Sequence, residues 1–412
     1  MVYVLSKTGQ PLMPTENHAK VRILLKQGKA KVIHRCPFTI QLLYSSTNYT
    51  QKVTLGVDSG SKHIGLSATT KDKVLFESDV ELRNDIVDLL STRRELRRSR
   101  RSRKLRHRKP RFNNRRRSKG WLAPSVKQKV DSHITMIAKV HKILPISNIV
   151  VEVASFDIQK IKDPTISGTD YQHGEQLDFW NIREYVLFRD GHKCQCCHGK
   201  SGDKILNVHH IESRKTGGDA PNNLITLCET CHTGYHKGTV KLPKTIHRGM
   251  SFKDTIFMGI MRWALYGKLK AIYSDVKLTY GYITKNTRIK NSLPKDHYID
   301  ARCISGNPNA ASNGDIYYYK KVRCHNRQIH KNTILKGGYR KRNQAAYEVK
   351  GFRLYDQVLW KGQKCFIFGR RATGRMDLRL LDGTHVNASV RYKNLKLLKM
   401  RNSYLVEQRK VG

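Results

Sequence analysis

The sequence predicts a multidomain α/β chain: a sheet-based core built from separated segments, an inserted Cys/His module, an arginine-rich helix and a small β-barrel-like end domain. Three observations lead there. Strand-like and helix-like segments alternate over residues 52–153 and again over 253–306. Between those stretches, residues 186–242 gather paired cysteines and paired histidines. From about residue 352 onward, apolar and polar residues alternate with period two and are broken by glycine turns, as in a curled sheet or small barrel. At 412 residues the chain also exceeds what one hydrophobic core ordinarily supports.

Element by element, KVRILLKQGKAKVI reads as a short amphipathic helix and FTIQLLY as a strand. KVTLGVDSGSKHIGLSATT gives two strands around a Gly-Ser turn, and KVLFESDVEL a third. A helix opens at Asn84, with Asp85 and Asp88 in its first turn, where acids complement the helix dipole. VKQKVDSHITMIAKVHKIL carries apolar residues at helical spacing, and NIVVEVASFD reads as a buried strand. Residues 160–185 are loosened by Pro164, Gly168 and Gly174 and suggest a linker. Beyond the Cys/His module, FKDTIFMGIMRWALYGKL reads as a helix, KAIYSDVKLTYGYITKNTRI as strands, and PKDHYIDARCIS as a helix starting at Pro294.

The formal charge is +47, from 79 Lys and Arg against 32 Asp and Glu. A cationic excess of that size self-repels until a polyanion neutralises it, which points to nucleic acid. Arg93 to Lys119 holds 16 Lys or Arg in 27 residues with one acid, Glu95. Such a run forms a helix readily only with phosphates around it, because its i,i+4 neighbours repel. Arg93, Arg94, Arg97, Arg98, Arg100, Arg101, Arg103, Lys104, Arg106 and Arg108 are its expected backbone contacts. The N-terminus lacks the basic and long apolar regions of a signal peptide, and no segment has the apolar length of a membrane span. Five of the nine cysteines cluster and the rest are scattered, which suggests a metal site in a reducing cytoplasm.

Cys194 and Cys197 form one C-x-x-C pair, and Cys228 and Cys231 a second. Two such knuckles make a closed Cys₄ zinc site. Cys196 stands as a possible substitute ligand. His209 and His210 end a strand, so their rings face opposite ways. His232 and His236 share one face of a helix, being i,i+4. One strand histidine and two helix histidines could hold a cation and leave the other strand histidine as a base. The bland alternative is that these histidines merely pack a zinc ribbon.

With Asn223 between them, these pairs resemble the HNH nuclease family in its ββα-metal form. The resemblance implies that His210 is the general base, that His209, His232 and His236 ligate one Mg²⁺, and that Asn223 is the structural middle residue. Elsewhere, Asp58 ends a strand, Glu152 lies inside an apolar strand, and Asp300 follows His297 by one helical turn. Glu152 needs a partner to offset its desolvation. In this order VDSGSKHIGLSA, VVEVASFD and HYIDA resemble the three motifs of a split RuvC nuclease with an RNase H-like fold. Asp58, Glu152, His297 and Asp300 become its catalytic set, the three carboxylates holding two Mg²⁺ ions.

The Pro-Leu-Met-Pro stretch, Pro11 to Pro14, completes a resemblance to the IscB family of transposon-associated RuvC/HNH nucleases. That family implies an ωRNA guide, a double-stranded DNA target, HNH cutting of the guide-paired strand and RuvC cutting of the displaced strand. The expected divisions are a Pro-Leu-Met-Pro domain (1–51), RuvC segments (52–90, 120–165 and 243–306), a bridge helix (91–119), a linker (166–185), the HNH module (186–242) and a C-terminal region (307–412). Arg370, Arg371, Arg375 and Arg379 are candidates for reading a target-adjacent motif, since arginine pairs bidentately with guanine. A monomeric, cytoplasmic ribonucleoprotein follows from the resemblance. Two rivals remain: a protein-only HNH homing-type endonuclease, and a non-catalytic zinc protein that binds RNA.

Overall fold

A computed structural model describes residues 1–102, 120–153, 181–214, 217–249, 253–323, 332–334, 340–342 and 346–410. The chain divides into two compact units, one made of Met1–Ala154 and Ile260–Gly412, the other of Ser155–Gly259. The first half of the chain holds β1 (Tyr3–Leu5), α1 (His18–Lys26), β2 (Ala30–Arg35), β3 (Phe38–Leu42), β4 (Thr54–Ser59), β5 (His63–Thr69), β6 (Val74–Glu81), α2 (Ile86–Ser102), α3 (Pro124–His141) and β7 (Asn148–Val153). Next come α4 (Ile182–Arg189), β8 (Leu206–His210), β9 (Leu224–Cys228), α5 (Glu229–His236), α6 (Lys253–Ile272), β10 (Val276–Tyr280), α7 (Gly281–Lys290), α8 (His297–Ile304) and β11 (Asp315–Lys321). The remaining strands are β12 (Asn332–Ile334), β13 (Arg340–Arg342), β14 (Glu348–Val349), β15 (Phe352–Arg353), β16 (Gln357–Trp360), β17 (Gln363–Arg370), β18 (Arg375–Arg379), β19 (His385–Arg391), β20 (Lys396–Lys399) and β21 (Tyr404–Lys410).

A seven-stranded mixed sheet, ordered β10-β7-β4-β5-β6-β11-β21, is the spine of the first unit. Its centre is an antiparallel meander, β4-β5-β6, and β7 runs parallel to β4 on the other side. Strands β4 and β5 are buried along nearly their whole length, which explains their near-continuous apolar reading. Helix α8 lies directly on them because two positions lack a side chain. A Cβ at Gly56 would come within 2.0 Å of the Ala301 carbonyl oxygen, and one at Gly65 within 1.9 Å of the His297 carbonyl oxygen. A buried fork fixes the same helix: Arg302 donates from Nε and Nη2 to the Glu77 carboxylate at 2.8 and 3.0 Å. Gly65→Ala should therefore push α8 off the sheet and cost about 3 kcal/mol or more, as overpacking does. The measurement is the denaturant midpoint of the first unit; an unchanged midpoint would show that α8 does not depend on this close approach.

Several sequence expectations need correction. The helix expected over residues 20–33 stops at Lys26 and β2 takes the rest. Gly28, at φ 66, accounts for the stop: Lys29 N–H reaches back to Leu24 O at 2.9 Å, a glycine-dependent helix ending. TYGYITKNTRI is a strand only to Tyr280 and then becomes α7. Four consecutive polar residues, Lys285 to Arg288, suit a surface helix and not a half-buried strand. Helix α8 begins at His297 with Asp296 as its cap residue, not at Pro294. Residues 182–185, expected as linker, already belong to α4, while 154–180 lie outside the described residues.

The expected C-terminal barrel is not found among the described residues. An open five-stranded sheet, β19-β18-β17-β16-β20, stands there, and β21 instead pairs with β11 as an edge of the large sheet. Strand β21 is drawn there by Tyr404, Leu405 and Val406, which are buried against that edge. A three-stranded sheet, β1-β3-β2, completes the first unit with α1. In the second unit β8 and β9 pair antiparallel and α5 follows directly, a ββα arrangement.

Candidate functional site

In the second unit, four thiols come together. The sulfurs of Cys194, Cys197, Cys228 and Cys231 all lie within 4.8 Å of one another, and Cys196 is not among them. The Cys197 and Cys228 sulfurs stand 3.7 Å apart. That matches the edge of a tetrahedron with Zn–S bonds of about 2.3 Å, which is roughly 3.8 Å. The Ser201 hydroxyl beside Cys197 holds its thiol down at about 5, so thiolate is available there. Burial pushes the Cys194 and Cys231 thiols up, a penalty that a cation offsets. The donor set fits zinc.

One residue further along the chain, α5 carries His232 and His236, and β8 carries His209. Their ring nitrogens form a second group within 4.8 Å, the two helix Nε2 atoms being 3.3 Å apart. His209 Nε2 is buried and has no hydrogen-bond partner. Burial, with the neighbouring imidazoles, lowers His209 to about 4, so its ring is neutral and able to ligate near pH 7. An unpartnered nitrogen aimed among two other imidazoles fits a divalent cation with an open position.

His210, on the other face of β8, does not join that group. Its Nε2 stands 2.9 Å from Asp219 Oδ1, and Arg214 forks onto the other oxygen at 2.7 and 3.2 Å. If Nε2–H donates to the carboxylate, Nδ1 is the bare, basic nitrogen. Asn223 is fully buried and sutures the loop between: its Oδ1 accepts from Glu212 N–H at 2.9 Å, and its Nδ2 donates to Glu212 O and Gly218 O. Sequence reasoning missed Asp219; only its position nine residues after His210, in a glycine turn, hints at it.

The first unit brings Asp58, Glu152, His297 and Asp300 to one place. Asp58 ends β4, Glu152 lies on the adjoining parallel β7, and α8 supplies the other two. His297 Nδ1 stands 2.7 Å from Asp58 Oδ2, and that bond raises the imidazole above its ordinary range. The ring stacks on His63 at 5.1 Å, and His63 in turn pairs with Asp79 at 3.0 Å. Burial raises Glu152, with Arg262 opposing and Asp58 adding to the rise. Burial also raises Asp300, helped by Asp58 and opposed by Arg288.

Glu152 and Asp300 each face an arginine that the sequence reading did not foresee, whereas Asp58 is paired with His297. Arg262 Nη2 meets Glu152 Oε1 at 2.8 Å and its Nε donates to Ser59 O at 3.0 Å. A lone arginine inside the apolar run FMGIMRWAL was the available signal. Arg288 Nε faces Asp300 Oδ1 at 3.0 Å without hydrogen-bond alignment, so both atoms are buried and unsatisfied. The orphaned Asp300 oxygen and the mutual carboxylate repulsion fit cations at this place. The three carboxylates are not themselves gathered within 4.8 Å in the way the thiols and imidazoles are.

Arg93, Arg94, Arg97 and Arg98 are exposed on α2, and Arg100 and Arg101 lie on the same helix. Arg103, Lys104, Arg106 and Arg108 fall outside the described residues. Among the C-terminal arginines, Arg379 is committed to Asp377 at 2.8 Å and Arg370 donates to the Tyr347 carbonyl. Arg375 makes only long contacts to Ser389, at 3.3 and 3.4 Å, and Arg371 is exposed.

Residues 2–174 match the family described as RRXRR protein, and residues 194–238 match the HNH endonuclease family. Over 60 residues the chain is 38% identical to anaredoxin of Nostoc sp. (strain PCC 7120 / SAG 25.82 / UTEX 2576), covering 14% of this chain and 74% of that one, so that segment shares its family. Among solved structures, Cas9 of Streptococcus thermophilus in complex with the GGAA PAM is 14% identical, at a TM-score of 0.36, over 52% of this chain and 30% of that one. The Type II-C Cas9 enzyme from Actinomyces naeslundii is 15% identical, at a TM-score of 0.16, over 46% of this chain and 32% of its own. The chain thus spans about a third of the length of these structures, and similarity at these scores does not by itself define a shared fold.

The thiol and imidazole groups therefore belong to an HNH endonuclease domain. With an RRXRR region preceding that domain, the chain is an IscB-like RuvC/HNH protein. Among the described residues, no helix is long and apolar enough to cross a membrane.

Proposed function

We propose that the protein is a metal-dependent, RNA-guided endonuclease of double-stranded DNA, with an ωRNA guide and two separate cutting centres. The observation that carries the cutting is the three-imidazole group of His209, His232 and His236 beside a histidine, His210, that is kept out of it and braced by Asp219. Divalent ions at the two centres supply positive charge for the scissile phosphate and the leaving oxygen. Imidazoles accept a wider range of dications than Mg²⁺ alone, whereas carboxylates suit Mg²⁺. His210 Nδ1 takes the proton from the attacking water, and the Asp219 carboxylate stabilises the imidazolium that results. In the first unit, His297 keeps Nδ1 on Asp58 and leaves Nε2 for proton transfer. The strand order β6-β5-β4-β7-β10, with its parallel second half, supports reading this sheet as an RNase H-like split RuvC core.

Guidance by RNA rests on the family resemblance, on the charge of +47 and on the exposed arginines of α2. Base pairing would supply sequence recognition, with HNH acting on the paired strand and RuvC on the displaced one. The protein purified with its own flanking locus should carry a defined RNA, and ribonuclease treatment should abolish cleavage of a matching duplex. Undiminished cleavage after complete digestion would favour a protein-only homing-type enzyme.

A further inference from the structure

The first unit contains a cavity of about 160 Å³ whose lining includes none of the residues of either centre. Its walls are apolar and aromatic: Phe76, Met136 and Tyr319 are buried there, and Pro37 and Val140 join them. Four basic side chains meet the same space, namely His34, Lys139, Lys142 and Lys399, and among the described residues no carboxylate lines it. They come from three different parts of the fold, β2, the end of α3 and β20. Lys139 lies half-buried, its Nζ 4.5 Å from the centre of the Tyr404 ring and 5.8 Å from that of Tyr319.

This arrangement is costly as it stands. Burial, with repulsion from Lys399 and Lys142, lowers Lys139 to about 8, and the same lysines lower His34 after burial does. Lys139 is half-buried while His34, Lys142 and Lys399 are exposed, so the like charges form a solvent-facing rim that an anion neutralises. The apolar walls ask that the anion bring a flat, poorly hydrated group with it. A cavity of about 150 Å³ lined by apolar side chains admits one benzene ring, so this one has room for a single heterocycle. A nucleotide joins both features, and aromatic walls with a basic rim are how single strands are held without sequence readout.

We propose that this cavity receives one unpaired base of the bound RNA, with the adjoining phosphates on Lys139, Lys142 and Lys399. It rests on the RNA-binding reading above and assigns that reading a specific contact.

The test uses the full chain and two labelled decamers, oligouridylate and an abasic strand with the same number of phosphates. The wild type should bind oligouridylate roughly tenfold more tightly than the abasic strand, the size of one base-stacking contact. Cys36, half-buried at the cavity wall, offers a plug. Cys36→Phe should bring the ratio to about one and leave abasic binding unchanged. Lys139→Ala with Lys399→Ala should weaken both strands and reduce the salt slope by about 1.4, for two lost phosphate contacts. Should the plugged variant not fold, wild-type Cys36 alkylation by iodoacetamide, read by peptide mass, should be slowed by oligouridylate and not by the abasic strand. Equal wild-type affinity for the two strands, or a preference untouched by Cys36→Phe, would overturn the base pocket while leaving RNA binding intact. A wild type that binds neither decamer and carries no RNA would overturn both.

Discussion

His210→Ala should leave a target duplex nicked in the displaced strand alone, and Asp58→Ala should leave it nicked in the guide-paired strand alone. Each loss is expected at about 10² to 10⁴-fold in the rate of the affected cut, the usual worth of a positioned base; removing a carboxylate ligand sits at the upper end. The expectation follows from the division of the chain. His210 and its brace Asp219 lie in the Ser155–Gly259 unit, whereas Asp58, Glu152, His297 and Asp300 all lie in the other. Asp58→Ala also frees His297 from its 2.7 Å partner, so the first centre loses a ligand and a positioned imidazole together. A duplex labelled separately on each strand, incubated with the guide complex and resolved under denaturing conditions, reads both cuts at once. If either single change removed both cuts while the protein stayed folded, one shared centre would have to replace the two.

How much of this was legible beforehand differs between the two centres for a physical reason. The thiol and imidazole groups come from short spacings on one hairpin and one helix turn, so local geometry alone brings Cys228, Cys231, His232 and His236 together. The carboxylate centre depends on 239 residues of separation between Asp58 and His297 and on the close seating of α8 over Gly56 and Gly65. No local pattern encodes that; the resemblance to known motifs, in their nested order, carried it. Its partners Arg262 and Arg288 were missed because each sits on a different element from the acid it meets, with nothing in the periodicity to pair them. Asp219 was missed for the opposite reason. It lies close in sequence but in a turn, where an acid ordinarily faces solvent. The C-terminal alternation was read correctly as strands, yet period two does not say which sheet a strand joins. Strand β21 went to the large sheet, and an open sheet stands where a barrel was expected.

Cys228→Ser should unfold the inserted unit while sparing the other, and the choice of serine makes the cause separable. Among the described residues the apolar core of that unit is small: Ile225 and Leu227 pack beside Cys194, Cys228 and Cys231, and Val186, Leu187 and Leu224 are its other buried aliphatic side chains. A core of that size supplies little stability without a cross-link or metal, and structural zinc contributes about 10–16 kcal/mol of binding free energy that is folding free energy. Cys228 has a second role, because its sulfur accepts from the Cys231 N–H at 3.5 Å as the cap of α5. Serine is a good cap residue, so the substitution preserves that role and removes only the thiolate. The expected result is rapid proteolysis of residues 181–249, loss of the His210-dependent nick and retention of the Asp58-dependent one. A zinc-selective chelator applied to the wild type in excess Mg²⁺ should reproduce the same pattern, and zinc should reverse it. His210→Ala is the comparator, since it should remove the same nick with protease resistance unchanged. A Cys228→Ser protein that kept both its thermal transition and its protease resistance would mean that hydrogen bonding among the thiols, and not a metal, holds the start of α5 against β8.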